Sequence, residues 1–423
     1  MTTFPTGPTR TAIGTLRPML TLPVTVDDIR AAQDLLSGVV RPTPLEYSRA
    51  LSDRVGSEVF LKCENLQRAG SFKIRGAYTR MARLSDEEKA RGVVAASAGN
   101  HAQGVALAAQ LLGIRAKVYM PIGAPMPKLL ATRAYGAEVE LVGTTIDECL
   151  VSALAWSGET GAVLIHPFDH QDIVAGQGTC GLEILDECPD VRTIIVPTGG
   201  GGLLAGIAAA VKATRPDVRI LGVQAEQAAA YPLSLKAGRP VPVDKMATMA
   251  DGIAVGCPGQ VPYVMVEQLV DGMETVSEAE LSRGLLLLLE RAKLVVEPAG
   301  AAAVARLLDP SSRRLEGPVV AVLSGGNIDP LLLLRIIRHG MASAGRYLQF
   351  SVRVPDRPGS LARLLADLAR ADANVVEVQH ARNESTLSVE EVEIKVECET
   401  KGPDQREEVL RALRADGYRL IFH

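Results

Sequence analysis

Between residues 26 and 334 the chain repeats one pattern: a short apolar run, a turn, and an alanine-rich helical stretch. Two parallel strands cannot be joined by a tight turn and need a crossover, normally a helix. The pattern therefore specifies β-α-β units around a mainly parallel sheet, an α/β fold. Strands are expected at 93–97, 117–120, 139–142, 193–197, 220–225 and 319–323. Composition agrees, since 47% of residues are hydrophobic but only 4% aromatic, so the core must pack through aliphatic side chains. No internal repeat is evident.

The pattern changes after the helix that ends within 335–345. Residues 347–354 alternate like a strand and 358–370 form an amphipathic helix. Residues 374–381 and 387–399 read as strands, 404–415 as a helix and 418–422 as a last strand. That order, βαββαβ, is the ferredoxin-like split unit. Three zones result: a Thr- and Pro-rich flexible extension at 1–25, a large region at 26–340 and a small α+β domain at 346–423.

The net charge of −4 argues against nucleic acid or an anionic membrane as partner, because both call for a basic face. The apolar run 285–289 is too short to span a bilayer and is flanked by charges. The N-terminus lacks the basic and apolar regions of a signal peptide, so a cytoplasmic location is expected. The six cysteines (Cys63, Cys149, Cys180, Cys188, Cys257, Cys398) form no C-x-x-C pair and read as reduced thiols, with no metal site.

Four segments carry chemistry. Gly70-Ser71-Phe72-Lys73-Ile74-Arg75-Gly76 leads from a loop into a helix. A lysine in a first helical turn meets the positive end of the macrodipole, and burial beside Phe72 adds to that, so the neutral amine is favoured. Such an amine can bond covalently to a carbonyl. A lone lysine is more often a solvated surface group, and only its setting raises the functional reading. Ser97-Ala98-Gly99-Asn100-His101-Ala102-Gln103-Gly104 joins a strand to an alanine-rich helix, where backbone N–H groups can hold a carboxylate; a capped turn with a packed His101 explains it equally well. Thr198-Gly199-Gly200-Gly201-Gly202-Leu203 exposes amides that can wrap a phosphate. The same glycines fit a relaxed dinucleotide fingerprint through Ala205, with Glu226 as the ribose acid, which would make the chain a nicotinamide enzyme. Ser324-Gly325-Gly326-Asn327 directly follows an apolar strand, where α/β sheets place ligands.

In order and spacing these segments together resemble the fold type II (tryptophan synthase β-like) pyridoxal-phosphate enzymes, and within them the threonine dehydratase (threonine ammonia-lyase) family, over roughly residues 25–340. The dinucleotide reading explains one segment of the four. The resemblance implies a two-lobed catalytic region whose smaller lobe, roughly 65–165, is inserted in the larger. It implies that Lys73 carries pyridoxal 5′-phosphate and is the catalytic base, that the amides of Gly199, Gly200, Gly201, Gly202 and Leu203 bind the phosphate, and that Asn100, Phe72 and Ser324 contact the ring. Ser97, Gly99, Asn100 and His101 would take the substrate carboxylate. The implied reaction is loss of ammonia from L-threonine to give 2-oxobutanoate, the first step towards isoleucine, with L-serine as a second substrate.

Two departures matter. Ala98 stands where the related serine racemases carry a serine, and a methyl group moves no proton. After Glu226 the chain runs Gln227-Ala228-Ala229-Ala230, without the carboxylates of relatives that bind a divalent cation. Asp251-Gly252-Ile253 resembles a loop lining the active site, and Glu297 begins Glu297-Pro298-Ala299-Gly300, an ordinary helix start that would also bring it towards the cofactor.

In the small domain, Asp356-Arg357-Pro358-Gly359-Ser360-Leu361 resembles the amino-acid-binding loop of ACT domains. That likeness implies regulatory contacts at Asp356, Pro358, Gly359, Ser360 and Leu361, an effector such as isoleucine or valine, and a homo-oligomer, dimer or tetramer. The alternatives are a serine or 3-hydroxyaspartate ammonia-lyase or racemase, and a non-catalytic amino-acid sensor built on the same domains. Whether Arg75 reaches the pocket, as a substrate with a second carboxylate would need, stays open at this point.

Overall fold

The computed structural model describes residues 22–243, 245–381 and 390–422. The expected N-terminal extension lies outside them except for residues 22–25, as do residues 387–389 of the strand expected at 387–399. The first helix, Val26–Leu36, is capped by Thr25, whose hydroxyl accepts from the Asp28 N–H while the Asp28 carboxylate accepts from the Thr25 N–H.

The central sheet has six strands in the order Leu45–Tyr47, Val59–Lys62, Val319–Val322, Thr193–Pro197, Arg219–Ala225 and Gly272–Val276. Every neighbouring pair is parallel except the first, which is antiparallel. A second, four-stranded parallel sheet runs Glu138–Leu141, Ala116–Met120, Val93–Ala96, Val163–Leu164. The expected strands are present, with ends shifted by at most one residue. The strands 45–47, 59–62, 163–164 and 272–276 were not anticipated, because each is short or carries charges that mask an apolar run.

The order of the central sheet decides where a site can form. The chain leaves the sheet after Lys62, builds the smaller lobe, and returns at Thr193, while the late strand Val319–Val322 slots between these two. Three adjacent parallel strands therefore end side by side, and each runs on into one of the chemistry-bearing segments. Strand 59–62 leads to Lys73, strand 319–322 to Ser324 and strand 193–197 to the glycine run. The carboxyl edge of such a sheet, at a point where strand order reverses, is where α/β proteins bind ligands.

The platform under this edge is rigid. Arg75, on the helix Lys73–Ala82, is fully buried and commits all five N–H groups. It donates to both oxygens of Glu64 (2.8 Å each), to both oxygens of Glu183 (2.6 and 2.9 Å) and to Thr179 Oγ1 (3.0 Å). Lys62 joins the same network through Glu183 and Glu187. The question left open for Arg75 is thereby answered: its guanidinium serves the fold and not a substrate.

The small domain forms an antiparallel sheet in the order Asn374–Ala381, Glu391–Glu399, Tyr347–Pro355, Leu420–Ile421. The helices Ser360–Arg370 and Pro403–Ala415 cover one face. Leu348, Phe350, Val352 and Val354 are buried at alternate positions against Leu364, Leu368, Val409 and Leu413, as a half-wet strand requires.

Replacing Arg75 with alanine leaves the buried Glu64 carboxylate without its bidentate partner, a loss of about 3–5 kcal/mol in comparable pairs. The melting temperature of Arg75→Ala is expected to fall by about 6 °C or more, measured by circular dichroism. A change of a degree or less would show the network to be dispensable.

Candidate functional site

The loop before Lys73 is stitched to the end of the strand 319–322. Ser71 and Gly325 form an isolated antiparallel bridge. Phe72 N donates to Ser324 O (3.2 Å), and Gly326 N donates to Gly70 O (2.9 Å). Lys73 opens its helix half-buried, its Nζ donating to Pro167 O at 2.9 Å and lying 5.2 Å from the centre of the Phe72 ring. Burial pulls the Lys73 amine down to about 8, with the Glu297 charge opposing. A large fraction is therefore the neutral nucleophile at mildly alkaline pH.

Asn100, the first residue of the helix Asn100–Leu112, comes to this point from the smaller lobe. Its Oδ1 accepts from Asn327 Nδ2 at 2.9 Å, and its Nδ2 donates to Glu297 Oε1 at 2.5 Å. Asn327 also donates to Ala69 O at 2.7 Å. Glu297 is buried, and its second oxygen, Oε2, has no partner among the described residues. Burial pushes this carboxyl up to about 7, with Lys128 the strongest charge acting the other way. A Cβ on Gly325 would overlap Glu297 Oε1, so the glycine after Ser324 is what lets the carboxyl approach the strand end.

The glycine run lies across from Lys73 and is closed by two aromatic groups. The Phe168 ring lies flat against Gly200, and Tyr231 donates its buried hydroxyl to Gly200 O at 3.2 Å. Gly201 has φ +97 and precedes the helix Gly202–Lys212, whose N-terminus carries no side-chain cap. Any side chain at Gly201 would both strain the backbone and overlap Tyr231, while the uncapped amides remain available for an anion. Asp169 Oδ1 accepts from Val261 N at 2.8 Å and pins the segment that holds Phe168.

Among the remaining expected residues, Ser97 Oγ accepts from Gly99 N at 3.2 Å, so part of the carboxylate loop is held by its own hydroxyl. The His101 side chain turns away from that loop. It is buried with Nε2 at 2.7 Å from Ile165 O, and burial, aided by the Lys73 charge, takes it down to about 3. The ring is neutral and donates from Nε2, which leaves only the backbone N–H of His101 for a ligand. Ser324 is buried beside this cluster. Glu226 is exposed on a short turn, Glu226–Ala228, far from a role in a closed ribose pocket. The five regulatory candidates, Asp356, Pro358, Gly359, Ser360 and Leu361, belong to the small domain and take no part in this cluster; Gly359, at φ +93, starts the helix Ser360–Arg370.

Sequence reasoning missed Pro167, Phe168, Tyr231 and Lys128. The first two had a usable signal, since His166-Pro167-Phe168-Asp169-His170 follows a strand end in a chain with only six phenylalanines. Lys128 had none: in sequence it is one more lysine on an amphipathic helix.

A model of the family described as pyridoxal-phosphate dependent enzyme matches residues 36–325, and one described as ACT domain matches residues 349–417. The chain is 47% identical over 396 residues to L-threonine ammonia-lyase of Thermotoga maritima, covering 93% of this chain and 98% of that one. It is 45% identical over 313 residues to the catabolic L-threonine dehydratase of Escherichia coli, covering 73% and 94%. Among solved structures, the processed form of threonine deaminase isoform 2 from Solanum lycopersicum superposes with a TM-score of 0.71 at 39% identity, covering 74% of this chain and 92% of that one. Maize serine racemase gives 0.71 at 36%, covering 74% and 96%.

If Lys73 is the group that takes up an aldehyde, the rate at which the cofactor-free protein bonds covalently to pyridoxal phosphate should rise with pH through about 8 and level off above. Stopped-flow absorbance would check this. A rise centred near 10.5, the ordinary lysine value, would contradict the desolvated amine.

Proposed function

This chain belongs to the pyridoxal-phosphate dependent enzymes and carries a C-terminal ACT domain, and from that premise we propose that its site removes ammonia from L-threonine. It is a lyase, and its cofactor is pyridoxal 5′-phosphate. The observation that carries the proposal is the convergence of Lys73, Asn100 and Ser324 with the uncapped glycine run at adjacent strand ends.

The residues present fit the cofactor. A desolvated amine, a line of free amides at a helix start and a buried carboxyl oxygen without a partner surround one edge of the sheet. When bound, the cofactor supplies the electron sink that lets Cα give up its proton. In the proposed arrangement Gly199, Gly200, Gly201, Gly202 and Leu203 hold the phosphate through backbone N–H groups, and Phe72 packs beside the ring. Asn100 keeps one amide N–H free for a ring oxygen, because its Oδ1 and its other N–H are already engaged. Ser324 would face the ring nitrogen with a neutral hydroxyl, which would not enforce protonation there. With the cofactor bound, Lys73 would be the residue that holds it covalently, and its neutral amine would serve as the base for the substrate's Cα proton. Over the reaction the Cα proton and the β-hydroxyl would be lost together as water, and the released enamine would tautomerise and take up water to give 2-oxobutanoate and ammonia. The amides around Ser97, Gly99, Asn100 and His101 receive the substrate carboxylate.

Ala98 favours elimination over racemisation, since its methyl group can neither donate nor accept a proton on the far face of Cα. The ACT domain supports regulation by a small amino acid, isoleucine or valine, bound near Asp356, Pro358, Gly359, Ser360 and Leu361. We further propose a cytoplasmic homo-oligomer. The six cysteines are all free, which suits a reducing compartment.

Three outcomes are expected. Lys73→Ala should lower 2-oxobutanoate formation by at least about 100-fold, the range of a lost general base, and persistence of turnover would sink the proposal. Ala98→Ser should raise serine racemisation relative to elimination, followed by chiral chromatography; an unchanged ratio would remove Ala98 from the argument. Isoleucine should change either the rate or the threonine cooperativity, and a titration that moves neither contradicts feedback through the ACT domain.

A further inference from the structure

The smaller lobe sends one cation to the site that the proposed reaction does not use. Lys128, in the first turn of the helix Met126–Ala134, is buried and lies against the loop that leads into Asn100. A Cβ built on Gly99 would come within 3.3 Å of Lys128 Nζ, so the missing side chain at Gly99 opens the gap between this ammonium and the backbone amides of the loop. Among the described residues the ammonium donates one hydrogen bond, to Asp251 Oδ2 at 2.6 Å. The pair is lopsided: the side chain of Lys128 is 7% exposed and that of Asp251 is 51% exposed. Asp251 thus meets water while Lys128 is sealed inside with two N–H groups still to place. A buried ammonium with one carboxylate and spare donors is incompletely satisfied. The Glu297 carboxyl, which feels the Lys128 charge, already accepts from Asn100.

We propose that Lys128 is a specificity-determining residue whose ammonium reads the substrate carboxylate at the Gly99–Asn100 loop, shared with or released from Asp251 when substrate arrives. Backbone amides alone bind a carboxylate through partial charges, whereas an ammonium in a dry site adds a full charge that a neutral analogue cannot exploit. Lys128 and Gly99 come from the smaller lobe and Asp251 from the larger, so the contact also ties carboxylate binding to the apposition of the two lobes. The inference rests on the reading of this site as one for an α-amino acid. It does not depend on which amino acid turns over.

The test compares L-threonine with L-threoninamide, which keeps the amine and the hydroxyl but lacks the carboxylate charge. Each is titrated into the holoenzyme while the shift of the bound cofactor's absorption band is followed, so binding is read without turnover. Lys128→Met should weaken L-threonine by about 10–100-fold, the worth of a charge-assisted hydrogen bond. The amide should weaken by less than about 3-fold on the same scale, and Lys128→Arg should restore the acid-over-amide preference. Asp251→Asn frees the ammonium and should preserve or increase that preference, which keeps the proposal testable if Lys128→Met folds poorly. Equal weakening of acid and amide in either variant would reduce Lys128–Asp251 to a structural latch and overturn the proposal. No acid-over-amide preference in the unmodified enzyme would overturn it as well. Failure of the unmodified enzyme to make 2-oxobutanoate would instead strike the proposed reaction, and is scored separately by product analysis.

Discussion

The site depends on a short piece of backbone pairing between segments more than 250 residues apart, in which Ala69 to Phe72 is tied to Ser324 to Asn327. It fixes where the loop that carries Lys73 meets the end of the strand 319–322. The pairing comes with local strain, since Ala69, a buried non-glycine residue, sits at φ 57. A conformation of that kind costs on the order of 1–3 kcal/mol and persists only where surrounding contacts over-determine it. Asn327 supplies such a contact, holding Ala69 O with one amide N–H and Asn100 with the other. One side chain thus links the lysine loop, the strand end and the smaller lobe.

Beneath this junction the chemistry of burial separates two kinds of charged group. Arg75 and Glu64 are sealed and Glu183 is partly exposed, and every N–H of the guanidinium is matched to an acceptor. Half-buried Lys73 and buried Glu297 and Lys128 are incompletely matched among the described residues. Incomplete matching is costly in a fold that does nothing and is the expected condition of groups that await a ligand.

The parallel architecture was legible because short apolar runs alternating with alanine-rich helices leave few other solutions, and the glycine-marked strand ends pointed to the ligand edge. Lys73, Asn100 and Ser324 could be found because each sits in a local run whose chemistry is unusual. The order of the central sheet was not legible: nothing in the sequence near Val319 states that this strand lies between Val59–Lys62 and Thr193–Pro197. Contacts made only by that long-range order, such as Glu297 on Asn100 or Lys128 on Asp251, were correspondingly hidden. His101 shows the converse, a residue inside a chemically suggestive motif whose ring serves packing. In the small domain the strand and helix order was readable from alternation and amphipathicity, because the strands Tyr347–Pro355 and Glu391–Glu399 and both helices each bury an apolar face.

The central claim is that these strand ends build a cofactor-dependent site for L-threonine. The most direct measurement is the visible spectrum of the purified protein before and after L-threonine is added, with 2-oxobutanoate assayed in the same sample. The account predicts a yellow protein whose absorption band shifts on addition of threonine while 2-oxobutanoate accumulates. A protein that shows no such band even after incubation with pyridoxal phosphate, or whose band ignores threonine and yields no 2-oxo acid, would contradict it.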